Sequence, residues 1–144
     1  MDVRLPELIV KRKEYDYLAP DGSQIRLLIT SKQARHASLC HVTLPPEKTS
    51  IPVKHQTVEE LWCFIAGSGE IWVKNATDEK TYSVTAGSAI TIAAGITYQF
   101  RNVDKVHALE FIVTTIPEWP GPQEAIFVEG KWQPSVNESH EAVS

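Results

Sequence analysis

Short runs of β-branched and aromatic residues, broken by Pro, Gly, Asp and Asn, fill most of this chain, and almost no stretch repeats at a helical period. The pattern predicts strands over 7–13, 24–30, 36–44, 51–55, 60–66, 69–74, 80–84, 88–92, 97–102 and 107–114. Turn-forming groups stand between them, among them Pro20-Asp21-Gly22, Pro45-Pro46, Gly67-Ser68-Gly69, Ala86-Gly87 and Ala94-Gly95. Helix is expected only as single turns at Thr57–Glu60 and Gln123–Ala125. Many short strands at this spacing mark an all-β sandwich or barrel.

Alternation along 60–66 puts Glu60, Trp62 and Phe64 on one face and Leu61, Cys63 and Ile65 on the other. Both faces are apolar, as in a barrel strand whose outside is covered by an arm or a partner. Glu60 then stands as a carboxylate among aromatic rings, where its charge is costly unless it meets a cation, a donor or a metal. From Pro117 the run Pro117-Glu118-Trp119-Pro120-Gly121-Pro122 cannot continue a central strand. Trp119 and Trp132 are too apolar to leave in water, so this arm is expected to wrap over the barrel or a neighbouring subunit. The organisation predicted is one domain over 1–134, with a core at 24–115, arms at 1–23 and 116–134, and a disordered tail at 135–144.

Composition narrows the functions. Hydrophobic residues make up 42% and charged residues 22% of 144, the make-up of one globular domain. A net charge of -4 argues against nucleic acid, and Lys11-Arg12-Lys13 reads as a solvated strand end. No apolar run approaches the ~20 residues of a membrane helix, and Met1–Pro6 holds no signal-peptide core, so a cytoplasmic protein without membrane contact is expected. Cys40 and Cys63 lack metal or redox spacing and read as buried free thiols. There is no G-x-S-x-G elbow, P-loop or G-x-G-x-x-G.

Two motifs give the middle of the chain, about 24–115, a resemblance to the small single-domain proteins of the cupin superfamily. In the first motif of that family, G-x5-H-x-H followed by E-x6-G, His55, Glu60 and Gly67 take the second histidine, the glutamate and the last glycine. Glu47 and Val53 stand where the leading glycine and first histidine belong. In the second, G-x5-P-x-G-x2-H-x3-N, Gly87, Gly95 and Asn102 are in register, with Ala93 at the proline and Tyr98 at the histidine. The resemblance implies an all-β, cupin-type double-stranded β-helix, a jelly-roll barrel with N- and C-terminal arms. It also implies a homodimer, in keeping with arms that carry Leu8, Ile9, Val10, Ile126, Phe127 and Val128.

Cupins that hold a divalent metal use both first-motif histidines, the glutamate and the second-motif histidine. This chain retains His55 and Glu60 of those four, so no tightly held cofactor is expected. A weakly bound divalent metal would need His55 and Glu60 joined by His41 or His107. The interior is expected to be a small-molecule pocket of His55, Glu60, Trp62, Phe64, Tyr98 and Phe100. His55 and Glu60 form a workable base and acid, with Tyr98 as hydrogen-bond donor. Arg26 reads either as a surface arginine or as a cavity cation paired with Glu60 or Glu110, or binding a ligand carboxylate. Glu110 reads either as an edge carboxylate in water or as a second interior acid.

Three functional readings follow. The first is a ligand-binding cupin acting as a proton-transfer enzyme of isomerase, cyclase or lyase type. The second is a non-catalytic metabolite-binding or partner protein, and the third a metal-dependent oxygenase with a non-standard ligand set.

Overall fold

Among residues 5–12 and 14–136, which a computed structural model describes, eleven strands pair into two antiparallel sheets. They are β1 (Tyr17–Leu18), β2 (Gln24–Ile29), β3 (Ser38–Leu44), β4 (Val53–His55), β5 (Glu59–Ala66), β6 (Ser68–Lys74), β7 (Glu79–Thr85), β8 (Ala89–Ile92), β9 (Thr97–Asn102), β10 (Leu109–Ile116) and β11 (Ala125–Phe127). One sheet runs β1-β2-β3-β10-β5-β8 and the other β11-β4-β9-β6-β7. This is the jelly roll that the cupin resemblance implies, and its all-β make-up is what the strand pattern predicts. No helix among the described residues is long and apolar enough to cross a membrane.

The alternation argument holds on β5: Glu60, Trp62 and Phe64 are buried while Leu61, Cys63 and Ile65 are exposed. Of these, Trp62 and Phe64 join Leu44, Ile71, Leu109 and Phe111 from both sheets in one core cluster that closes one end of the barrel. Each fully buried aromatic there contributes roughly 1.5–3 kcal/mol. The β5–β6 hairpin depends on Gly67, whose φ is 82° and where a Cβ would lie 2.2 Å from the Ala108 carbonyl oxygen.

Several local expectations are corrected. The strand expected at 7–13 is a 3-10 turn at Leu5–Leu8 followed by irregular chain to Arg12, and residue 13 lies outside the described residues. Residues 56–57 form a bend rather than a helical turn, whereas Pro122–Glu124 does form a 3-10 turn. The short strands β1 and β11 escape a periodicity reading because two or three residues are too few to alternate. Cys63 is exposed and Cys40 half-buried, so only one of the two thiols is near the core. Of the polar tail, Ser135 is tied down: its N–H donates to the Thr49 carbonyl and its hydroxyl accepts from the Thr49 N–H, both at 2.9 Å. Residues 137–144 lie outside the described residues.

Candidate functional site

Between the sheets, at the end away from Leu44 and Leu109, lies a cavity of about 700 Å3. Ile25, Leu27 and Val42 form one wall, Trp62, Tyr98 and Phe100 another, and the C-terminal arm reaches it with Trp119 and Phe127. Three strands bring the polar groups of this cavity together. His55 ends β4, where the Gly95 N–H binds its carbonyl at 2.8 Å and Ala125 of β11 pairs beside it. Glu60 lies on β5 opposite Thr115 of β10, and Tyr98 lies on β9 opposite Val53.

The carboxylate of Glu60 is the hub. Trp62 Nε1 donates to Oε1 at 3.0 Å, the Thr115 hydroxyl to Oε2 at 3.2 Å, and the Tyr98 hydroxyl approaches Oε1 at 3.5 Å. His55 Nδ1 is 3.7 Å from Oε2, and Tyr98 Oη is 3.1 Å from His55 Nε2. All three members are buried. Burial pushes the Glu60 carboxyl above its ordinary range, against the charge of His55 and the three donors, which pull it down. Burial and the nearby Glu60 charge push the Tyr98 phenol well up, so it serves as an O–H donor rather than a phenolate. Cys40 lines the same cavity, but burial and the Glu60 charge push its thiol up to about 12, which leaves it without nucleophilic character.

Trp119 packs edge-on against His55 with ring centroids 5.4 Å apart. Glu124 is a site residue that sequence reasoning missed. Its buried carboxylate accepts from the Thr57 N–H at 2.6 Å, the Thr57 hydroxyl at 2.6 Å and the Val58 N–H at 3.1 Å. It thereby clamps the bend joining His55 to Glu60. Burial alone would raise its pKa, but the hydrogen bonds from Thr57, Val58 and Gln56 outweigh it and hold the carboxyl below its ordinary value.

The other expected site residues divide. Trp62, Tyr98 and Phe100 line the cavity, while Phe64 is sealed behind Trp62 in the closed end, with centroids 6.1 Å apart. Arg26 and Glu110 are corrected to the outer face of the six-stranded sheet. Ile25 and Leu27 point into the cavity, so Arg26 between them points out, and Glu110 meets Arg12 at 3.3 Å on that same outer side. His41 is with them, its Nδ1 3.1 Å from Arg26 and its Nε2 3.0 Å from Glu110. His107 is exposed in a loop, 3.3 Å from Asp104. Neither histidine joins His55 and Glu60.

A cupin-domain family model matches residues 40–115, more than half of the chain. The chain belongs to the cupin family. No curated protein matches it in sequence. Among solved structures, this cupin superposes on Peruvianin-I, a cysteine peptidase from Thevetia peruviana latex, with TM-score 0.74 and 13% identity over 88% of this chain and 80% of that one. It is similar to an oxalate oxidase at TM-score 0.67 and 20% identity, over 80% of this chain and 60% of that one. It is also similar to KdgF from Halomonas sp., at 0.62 and 10%, over 74% and 90%. At these identities the likeness is one of fold.

The cupin metal set does not fit this interior. Val53 offers no donor, Tyr98 is a protonated phenol, and the Glu60 oxygens already receive Trp62, Tyr98 and Thr115. Among the described residues no group of three His, Cys, Asp or Glu side chains gathers that could hold a metal ion. What the arrangement can do is move protons.

Proposed function

We propose that this cupin binds a small organic molecule in the barrel interior and transfers protons on it, in a reaction of isomerase, cyclase or lyase type. The observation that carries the reading is a buried glutamate, pushed toward its neutral form, 3.7 Å from a buried histidine inside a ligand-sized cavity. His55, acting as the base, takes a proton from a carbon beside a substrate carbonyl. Neutral Glu60 gives its proton to the developing oxyanion, and Tyr98 donates a hydrogen bond to the same region. The step leaves His55 as a cation beside a Glu60 anion, an attraction that stabilises the intermediate and reverses when the protons return. A homodimer formed through the outer face of the six-stranded sheet is proposed alongside; exposed Leu61 and Ile65 support it, and sedimentation giving only monomer at micromolar concentration overturns it.

The test is a thermal-shift screen of carbonyl compounds, followed by NMR of hydrogen–deuterium exchange at the carbon beside the carbonyl of each hit. Glu60→Gln should keep hit binding within a few-fold and slow exchange ~10²-fold or more. Equal exchange in the variant overturns the catalytic part. Unchanged binding in His55→Ala together with unchanged exchange in both His55→Ala and Glu60→Gln moves the site away from the interior.

A further inference from the structure

Charge along the cavity wall narrows the substrate class, and the narrowing rests on the interior being the binding site. Among the described residues that line the cavity, none is Lys or Arg. Carboxylates line it instead, those of Asp21, Glu60 and Glu118. Their field reaches the interior, since after burial the charge of Glu60 and, more weakly, that of Asp21 push the Tyr98 phenol up. An anion entering would shed its water to meet acids without a fixed cation.

The three acids are not equally available. Asp21 is buried, and its oxygens accept from the Ser23 N–H at 2.9 Å and the Ile51 N–H at 3.1 Å. Glu60 holds its three side-chain donors, and burial pushes it toward its neutral form. Glu118 differs from both. It is half-buried in the cavity wall and has no hydrogen-bond or ion-pair partner among the described residues.

Its neighbours in the chain place it beside the proton-transfer centre. Three residues earlier, the Thr115 hydroxyl donates to Glu60. One residue later, Trp119 packs edge-on against His55, and its N–H is tied to the Ser38 hydroxyl of β3 at 3.0 Å. Trp119 therefore sets a half-buried indole next to the unpaired carboxylate, and indole is the aromatic ring that attracts a cation most strongly.

We infer that the substrates are carbonyl compounds that carry an alkylammonium group, with the carbonyl at His55, Glu60 and Tyr98 and the cation against Glu118 and the Trp119 ring. Three acetophenones that differ in the charge of one para substituent test this. They are (4-acetylbenzyl)trimethylammonium, its uncharged isostere 4-neopentylacetophenone, and the anion 4-acetylphenylacetate. Their affinities come from NMR titration of the full chain, followed on the indole N–H signals. In the wild type the cation should bind about fivefold more tightly than the isostere and roughly tenfold more tightly than the anion. Glu118→Gln should remove most of the preference for the cation and leave isostere affinity unchanged within about twofold, with the fold followed by circular dichroism. Glu118→Lys should reverse the order of cation and anion. Equal affinity of cation and isostere in the wild type, or a preference that survives both variants, overturns the ammonium class.

The same spectra test the interior reading separately. Trp62 Nε1–H donates to Glu60 inside the cavity, whereas Trp72 Nε1–H donates to Glu79 away from it. Interior binding should shift the Trp62 signal and leave that of Trp72 in place, for the isostere as for the cation. A Trp62 shift with equal affinities brings down the ammonium class alone. Binding that leaves Trp62 unmoved, or no saturable binding of any of the three ketones, brings down the interior reading and the ammonium class together.

Discussion

His41 with Glu110 and His55 with Glu60 are the same two residue types at similar separations, 3.0 Å and 3.7 Å, in two differently built places. The first pair lies on the outside of the six-stranded sheet with Arg12 and Arg26 beside it. Burial and then those two guanidinium charges push His41 below its ordinary pKa, so the imidazole stays neutral while the arginines answer Glu110. The second pair has no arginine; its neighbours are a phenol, an indole and a hydroxyl. There burial pushes the Glu60 carboxyl up, against the three donors that pull it down. In the proposed reading the permanent cations make the outer pair structural, and their absence from the inner pair is what lets it exchange protons. Each pair also leans on an arm, the outer on Arg12 of the N-terminal arm and the inner on Glu124 of the C-terminal arm.

The comparison breaks most visibly at Arg26. Its guanidinium donates to Thr43 at 2.9 Å and Gln24 at 3.2 Å and contacts His41, so Arg26→Met strips buried partners from the outer network. The expected loss is about 3 kcal/mol, or roughly 10 °C in melting temperature, with the affinity of the thermal-shift hits unchanged within twofold. An affinity that falls further would mean that the outer network reaches the inner pair. Glu124→Ala is the counterpart inside. It strands the Thr57 and Val58 donors and should cost about 2 kcal/mol, because water reaches the exposed part of the bend. Here stability and affinity should fall together, since the bend sets where His55 and Glu60 stand.

These two residues also mark the limits of what was legible in the chain. On β5 one face is core and the other is open, so alternation placed Glu60 and Trp62 correctly. On β2 both faces are covered to a similar degree, half-buried everywhere except at Arg26, so hydrophobic contrast carried no direction. Arg26 therefore reads from the chain as either a surface arginine or a cavity cation, and the structure turns it outward. Glu110 stays open between an edge carboxylate and an interior acid for the same reason, interrupting an apolar run whose two sides are both packed. Motif spacing located His55 and Tyr98 because each sits at a fixed offset from a glycine with positive φ, Gly67 or Gly95. Glu124 had no such anchor. Its partners lie some 66 residues earlier, and only the folded arm brings them within reach.

A smaller effect of opposite sign is expected at Glu60. Gln fits the same space and can still accept from Trp62 and donate to the Thr115 oxygen, while removing a charge that burial disfavours. Glu60 binds its proton more tightly in the folded state than in the unfolded one. Its contribution to stability is therefore full below the ordinary glutamate pKa and lost as pH rises through the raised folded value. Glu60→Gln does not undergo that loss. Urea unfolding should show the variant equal to or about 1 kcal/mol more stable than wild type at pH 7, with the gap closing toward pH 4. A variant clearly less stable at pH 7 would show that the charge has a structural use, and would make the inner pair resemble the outer.

His41 gives the finest test, because its pKa is displaced the other way. Burial and the charges of Arg12 and Arg26 depress it, against Glu110, which raises it; Asp16 and Glu14 add further negative charge around Arg26. An imidazole depressed in the folded state contributes stability that is present above its ordinary value of ~6.5 and lost as pH falls through the folded value. His41→Gln should flatten that acid limb, by about 0.5 kcal/mol between pH 7 and pH 5, with little change above pH 7. Wild-type stability in this window is thus the sum of two opposed slopes, one rising with pH from His41 and one falling from Glu60. Measured in Glu60→Gln, the His41 limb should steepen; measured in His41→Gln, the Glu60 limb should be exposed. If the double variant keeps either slope, the groups titrating there are not these two, and the contrast between a structural outer pair and a proton-exchanging inner pair loses its electrostatic basis.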